Sequence, residues 1–183
     1  MGPGMLKYLL FLILMLPGAA LANDWEALDT PGAFAIMRHA LAPGTGDPAN
    51  LTVGDCSTQR NLSQQGRDQA TRIGQAFRDR GHAFDIVLTS QWCRCRDTAE
   101  LLALGPVEEV PAFNSFFQDF STRDSQTAEA LELLADRSDR PFIVTHQVNI
   151  RALTGQTTRS GEVLIVRHAG DTLDVLGSIL IDP

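Results

Sequence analysis

Lysine is almost missing from this chain of 183 residues: Lys7 is the only one, and the other 14 basic residues are arginine, against 22 acidic residues. That balance disfavours a generic nucleic-acid or anionic-membrane surface. With Lys7 in a segment expected to be removed, Schiff-base chemistry is excluded too, and arginine is left as the only fixed cation. Its planar fork suits bidentate binding of oxyanions. Long apolar runs are also scarce. The stretch Tyr8 to Leu16 falls short of the roughly 20 residues that span a bilayer, and nothing later is longer. It follows Lys7 and precedes Pro17, Gly18 and the small-residue site Ala20-Leu21-Ala22, the pattern of a secretory signal peptide cleaved near Ala22. A membrane anchor is the competing reading. No cysteine follows the site, which argues against a lipid-modified terminus, and a periplasmic or secreted protein with no stable membrane span is expected.

Removing residues 1–22 leaves 14 arginines against 22 acidic residues, a formal charge of −8. The remaining residues 23–183 fit one domain with a proper core. Cysteine is scarce as well. Cys56, Cys93 and Cys95 permit one disulfide and one leftover thiol in an exported chain. On a helix after Ser90, Cys95 joins the apolar stripe of Trp92, Ala99 and Leu102, whereas Cys93 shares a face with Arg96, Asp97 and Glu100. Cys93 and Cys95 diverge on that helix, so a Cys56–Cys93 bridge is expected, worth about 4 kcal/mol in the chain-entropy picture. Three free thiols, or a Cys-His catalytic pair, are the alternatives.

The elements alternate. An apolar run, Ala33 to Met37, leads into a loop from Leu41 to about Asn61 that lacks periodicity and is expected to border a site. Ser63 can cap a helix to about Arg80, and Gly81 ends it. A strand from Phe84 to Thr89 leads to the Cys93 helix, which stops at Gly105-Pro106, and a short Val107 to Val110 strand ends at Pro111. Phe113, Phe116, Phe117 and Phe120 have no clean period and read as core or cleft wall. Asp124 or Ser125 caps the next helix, Pro141 to Thr145 forms a strand, and a helix then runs to Gly155. Glu162 to Arg167 and Thr172 to Ile181 alternate like a hairpin. The order predicts a three-layer α/β/α domain with a mostly parallel sheet and an antiparallel C-terminal edge hairpin.

Three short segments follow strands directly: Met37-Arg38-His39-Ala40, Ser90-Gln91-Trp92-Cys93-Arg94 and Val144-Thr145-His146. Ligands of open α/β sheets bind at the carboxyl ends of strands, so two histidines and two arginines delivered there make a cationic anion site. Phosphate is the first expectation. Arg94 and Thr98 share a helical face one turn apart, with Arg94 in the first turn beside free backbone N–H groups. His82 and His168 fall in loop contexts and read as bland. No set of Cys, His, Asp and Glu has metal-ligand spacing, and no metal or cofactor is expected.

These segments resemble the histidine phosphatase superfamily, the phosphoglycerate mutase-like fold, and especially its short members. Arg38-His39 is similar to the family's Arg-His signature. Leu62-Ser63 through Gly66 to Gln69-Ala70 is similar to its first helix start, and Ser90 through Arg94 to Thr98-Ala99 to its second. Val144-Thr145-His146 with Asn149 and Arg151 is similar to its second histidine segment. The resemblance implies that His39 is the nucleophile that forms a phosphohistidine, while Arg38, Arg94 and His146 hold the phosphoryl group. Arg60, ahead of the Asn61-Leu62-Ser63 motif, is expected to reach substrate from the loop, with Ser90 and Asp119 also assigned to substrate. The competing reading of Arg60 is a surface arginine.

Two departures stand out. Ala40 replaces the usual glycine after Arg-His, and Ser115, in Phe113-Asn114-Ser115, stands where many relatives carry an acid glutamate. Asp119 is the nearest carboxylate replacement, against the plain reading of a solvated loop aspartate. Without an acid, substrates with good leaving groups would be favoured. The expected partner is a small phosphorylated substrate, with an envelope sugar phosphate as one option. A catalytically silent phosphate- or sugar-phosphate-binding protein and a phosphomutase are the competing functions.

Overall fold

The computed structural model describes residues 23–183, so the expected signal segment lies outside the described residues. Ten regular elements follow in the expected alternation: β1 (Phe34–Arg38), α1 (Gln64–Asp79), β2 (Ile86–Thr89), α2 (Cys93–Leu102), β3 (Val107–Glu109), α3 (Arg123–Ala135), β4 (Pro141–Thr145), α4 (Gln147–Thr154), β5 (Val163–His168) and β6 (Leu173–Ile179). The strands form one sheet in the order β3-β2-β4-β1-β5-β6. β1 pairs parallel with β4, and β2 pairs parallel with both β4 and β3, whereas β5 runs antiparallel to β1 and to β6. Among the described residues no helix is long and apolar enough to cross a membrane.

Period-two alternation in the strands divides the core. Ala35, Met37, Val87, Phe142 and Val144 face one layer, where they pack with Ile73 and Phe77 of α1 and with Cys95, Ala99 and Leu102 of α2. Ile36, Leu88, Ile143 and Leu164 face the other, with Leu131 and Leu134 of α3 and Ile150 and Leu153 of α4. β1 and β4 are buried along nearly their whole length, as central parallel strands require. Their carboxyl ends are therefore fixed from both faces, and they open at the same edge of the sheet as that of β2.

Local chemistry sets some helix ends and not others. The Ser63 side chain accepts from Gly66 N at 3.1 Å and caps α1. α2 ends with Ala103 in the left-handed region at φ 49°. α3 begins at Arg123, one residue before the expected Asp124 or Ser125 cap, and Thr122 makes no side-chain cap bond. The reason is the short 3-10 turn Phe120–Thr122, which runs straight into the helix and is itself capped by Asp119.

α1 and α2 touch at Gly74. A Cβ placed there would stand 1.9 Å from the Leu102 carbonyl oxygen. Alanine in a helix interior ordinarily gains about 1 kcal/mol over glycine. Here the gain is reversed, because the two helices must part: Gly74→Ala is expected to cost about 2 kcal/mol and lower the thermal unfolding midpoint. An unchanged or raised midpoint would show that the contact is not tight.

Candidate active site

His39 follows β1 and His146 follows β4, so register alone sets the two side by side: Arg38 lies opposite Thr145, and His39 N donates to Thr145 O at 3.0 Å. Their rings lie 5.6 Å apart, edge to face. Both are almost fully buried, as is Arg94 in the first turn of α2. Arg94 links them. Its Nε donates to His39 Nε2 at 3.2 Å, and a terminal nitrogen reaches His146 Nδ1 at 3.4 Å.

These contacts decide the tautomers. The Ala40 carbonyl lies 2.8 Å from His39 Nδ1 and can only accept, so the proton sits on Nδ1. Nε2 then carries a lone pair, consistent with its accepting from Arg94. On His146, Nδ1 accepts from Arg94 and Nε2–H donates to Ser90 Oγ at 2.8 Å. The Ser90 hydroxyl donates in turn to Asn114 Oδ1 at 3.3 Å, and Gln91 N donates to the same oxygen at 2.9 Å. Burial, and next the charge of Arg94, push both imidazoles well below the ordinary histidine value. Both are neutral at neutral pH, and His39 Nε2 is unprotonated, its lone pair held by Arg94 Nε.

The histidines border a cavity of about 220 Å³ lined also by Arg38, Arg60, Arg94, Asp47 and Ser115. Three guanidinium groups thus face one small space. Arg38 donates to Thr158 O at 3.4 Å, while its buried Nε has no partner among the described residues and is a donor left over for an anion. Arg60 Nε donates to Gly46 O at 2.8 Å, and its NH1 donates to Ala42 O. Arg60 therefore lines the cavity, pinned by carbonyls of its own loop.

Two expected substrate contacts are corrected. Ser90 has no exposed surface and works behind His146, holding its ring through Oγ rather than meeting a ligand. Asp119 does not line the cavity. Its carboxylate accepts from Ser121 N at 3.0 Å and Ser121 Oγ at 2.6 Å, bonds that hold it below the usual carboxylate range and commit it to the 3-10 turn. His82 stacks on Trp25, and His168 Nε2 reaches Leu131 O at 3.3 Å at the end of β5, both away from the site.

The residue that sequence reasoning missed is Asp47. It sits in the aperiodic loop after β1, yet its side chain is only 5% exposed. Its two oxygens accept from Arg94 NH1 at 2.7 Å and NH2 at 3.0 Å, and it also accepts from Arg60 N at 3.0 Å and Trp92 Nε1 at 3.3 Å. Burial opposes its charge, but the Arg94 bonds prevail and keep its carboxyl below the usual value. The only available signal was its position in a loop expected to border the site.

The cysteines behave as expected. Cys56 and Cys93 form a disulfide, and Cys95 is buried and free. Cys95 Sγ lies 3.4 Å from His146 Nε2, but burial pushes the thiol up to about 12, so the Cys-His pair is not a nucleophile. The bridge ties the Asp47 and Arg60 loop to the first turn of α2, next to Arg94. Gln59 reinforces the tie, its Oε1 accepting from Cys93 N at 2.9 Å. Reduction is expected to cost about 4 kcal/mol, read as a lower denaturant midpoint under a thiol reductant. Equal midpoints in both redox states would contradict a constraining bridge.

Residues 35–116 match the model of the histidine phosphatase superfamily (branch 1). The matched segment, a little under half of the chain, includes Arg38, His39, Ser90 and Arg94. Solved structures agree on the fold at low identity. SixA of Agrobacterium tumefaciens is 16% identical with a TM-score of 0.58, covering 83% of this chain and 99% of that one. Phosphoglycerate mutase of Thermus thermophilus is 18% identical at TM-score 0.57, covering 82% and 99%. The alpha-ribazole phosphatase of Shigella flexneri is 16% identical at 0.55, covering 78% and 94%. No curated protein sequence matches. The architecture, with its antiparallel β5 and β6 edge, is the phosphoglycerate mutase-like one expected.

Proposed function

We propose that the protein is an exported, metal-independent phosphatase that hydrolyses phosphomonoesters through a phosphohistidine on His39. The observation that carries this reading is the His39 tautomer. A carbonyl holds the proton on Nδ1, so Nε2 is unprotonated, held by Arg94 Nε until a phosphoryl group takes that donor, in a residue that lines a cavity bordered by three guanidinium groups. His39 Nε2 attacks phosphorus as the ester P–O bond breaks, and the leaving oxygen takes a proton. Water then attacks the phosphohistidine, releasing inorganic phosphate and restoring neutral His39. Two displacements replace one harder step. Arg38, Arg94 and His146 hold the phosphoryl oxygens, whose charge must be met by donors already in place. His146 Nδ1 becomes a donor once protonated, and a phosphoryl dianion at the site favours that protonation.

The leaving group has somewhere to lie. A groove of about 1090 Å³ shares Phe117, Gln147 and Val148 with the smaller cavity. It carries the aromatic faces of Phe116 and Phe120, with Arg123, Arg151, Asp124 and Glu132 of mixed sign around them. Phe117 and Phe120 are exposed, at 46% and 57%. Aromatic faces ringed by balanced polar groups suit a sugar ring, which supports a phosphorylated sugar as the substrate class. An envelope sugar phosphate fits this groove and the expected export.

The test is hydrolysis of p-nitrophenyl phosphate by the oxidised mature protein between about pH 4 and 8, with a chelator present; the lowered His39 value predicts that turnover persists on the acid side of histidine's usual value of about 6.5. Turnover unaffected by the chelator supports the reading. Tight phosphate binding without turnover would favour a silent binding protein.

A further inference from the structure

Resting on that reading, we propose that Asp47 is the general acid and base of the reaction, protonating the leaving oxygen and then taking a proton from the attacking water. Among the thirteen residues that line the small cavity, Asp47 alone carries a carboxylate. Ser115 lines the cavity too, but its hydroxyl can supply no comparable acid, and its Oγ accepts from Phe117 N at 3.3 Å. Asp47 is also placed on the correct side. The Arg94 guanidinium meets His39 Nε2 with its Nε, and it meets Asp47 with NH1 and NH2. Nucleophile and carboxylate thus meet different edges of one guanidinium at the border of the same small cavity, within reach of one bound phosphoryl group.

In the free protein Asp47 is ionised and bound to Arg94. An entering phosphomonoester monoanion brings a proton on a phosphoryl oxygen. Its oxygens compete for the terminal nitrogens of Arg94, and as they take them, the buried carboxylate loses its pair. Loss of the Arg94 bonds lets burial raise its proton affinity against the Arg60 N and Trp92 Nε1 bonds that remain, and the proton passes from the phosphoryl group to Asp47. His39 Nε2 forms the P–N bond, the P–O bond breaks, and the Asp47 proton goes to the leaving oxygen. The carboxylate that results takes a proton from water as its oxygen attacks phosphorus and the P–N bond breaks. Asp47 then gives that proton to the departing phosphate as its pair with Arg94 re-forms, so protons balance over the cycle with no further reactant than water.

The alternatives for Asp47 are a plug that merely occupies Arg94 and a strut that merely aims it. A leaving-group series separates them. The full mature protein, Asp47→Asn and Asp47→Glu are assayed on 2,4-dinitrophenyl, p-nitrophenyl and phenyl phosphate and on an alkyl phosphate, with thermal unfolding confirming that each is folded. If Asp47 is the acid, Asp47→Asn lowers kcat/KM on the alkyl and phenyl esters by about 10² to 10³ while the dinitrophenyl ester changes by less than about fivefold. Asp47→Glu recovers part of the loss on the poor leaving groups. An equal fall on every ester, or a rise on every ester, overturns the proposal and assigns a strut or a plug respectively. An active parent with an unchanged leaving-group slope in Asp47→Asn defeats this inference alone. A parent inactive on the whole series defeats the phosphatase reading with it.

Discussion

His39→Ala is expected to lower kcat/KM on p-nitrophenyl phosphate by at least about 10⁴, to the residual rate of a bare anion site. The size follows from what the side chain does. Without Nε2 no covalent intermediate forms, and nothing else in the cavity replaces it: His146 is turned with Nε2–H to Ser90, and the Cys95 thiol is held protonated by burial. Alanine also removes the Nδ1 contact to Ala40 O, but the backbone bond from His39 N to Thr145 O remains, so the β1 end keeps its place. Phosphate binding should therefore persist in the variant, because Arg38, Arg60 and Arg94 are untouched. Isothermal titration with inorganic phosphate alongside the rate assay checks this. Retained turnover would remove His39 from the chemistry.

Arg94→Ala should damage both activity and the fold. Arg94 bonds to His39, His146, Asp47 and the Arg60 carbonyl at once, so its loss takes away a phosphoryl donor and the link between the two imidazoles. A fall of about 10² to 10³ in kcat is expected from loss of one preorganised donor to the transition state. The stability cost comes from the partner left behind. Asp47 stays buried without its ion pair, which costs about 3 kcal/mol. Arg94→Ala combined with Asp47→Asn should recover much of that stability without recovering activity. Recovery of activity in the double variant would mean that Arg94 serves only to neutralise Asp47.

The parts of this site that were legible in the sequence are those fixed by strands. Pro141 to Thr145 reads as a strand from its unbroken apolar run, and a buried parallel strand can place the next residue in only one position, so His146 was locatable from its neighbours. The same holds for His39 and for Arg94 one turn into a helix whose start was visible at Ser90. The Cys56–Cys93 bridge was legible because Cys95 belonged so clearly to the apolar stripe of α2. Asp47 was not, because the loop from Leu41 to Asn61 has no period, and its burial depends on Trp92 and Arg94 at the start of α2 and on the backbone of Arg60 meeting it from two places in the chain. Asp119 looked like a candidate for the opposite reason. A loop carboxylate shortly after Ser115 is visible in sequence, but its commitment to Ser121 is set by a 3-10 turn with no strong sequence mark. Ser90 was placed at the site correctly and given the wrong task, since only the fold shows that its hydroxyl points at the back of His146.

The most direct test of the account is to trap the intermediate: mix the mature protein with radiolabelled phosphomonoester, quench in base within the first turnover, and map the label. The account predicts a base-stable, acid-labile phosphate on His39, absent from His39→Ala and chased by further incubation with unlabelled substrate. An active enzyme with no protein-bound label at any quench time, or with the label on another residue, would contradict it.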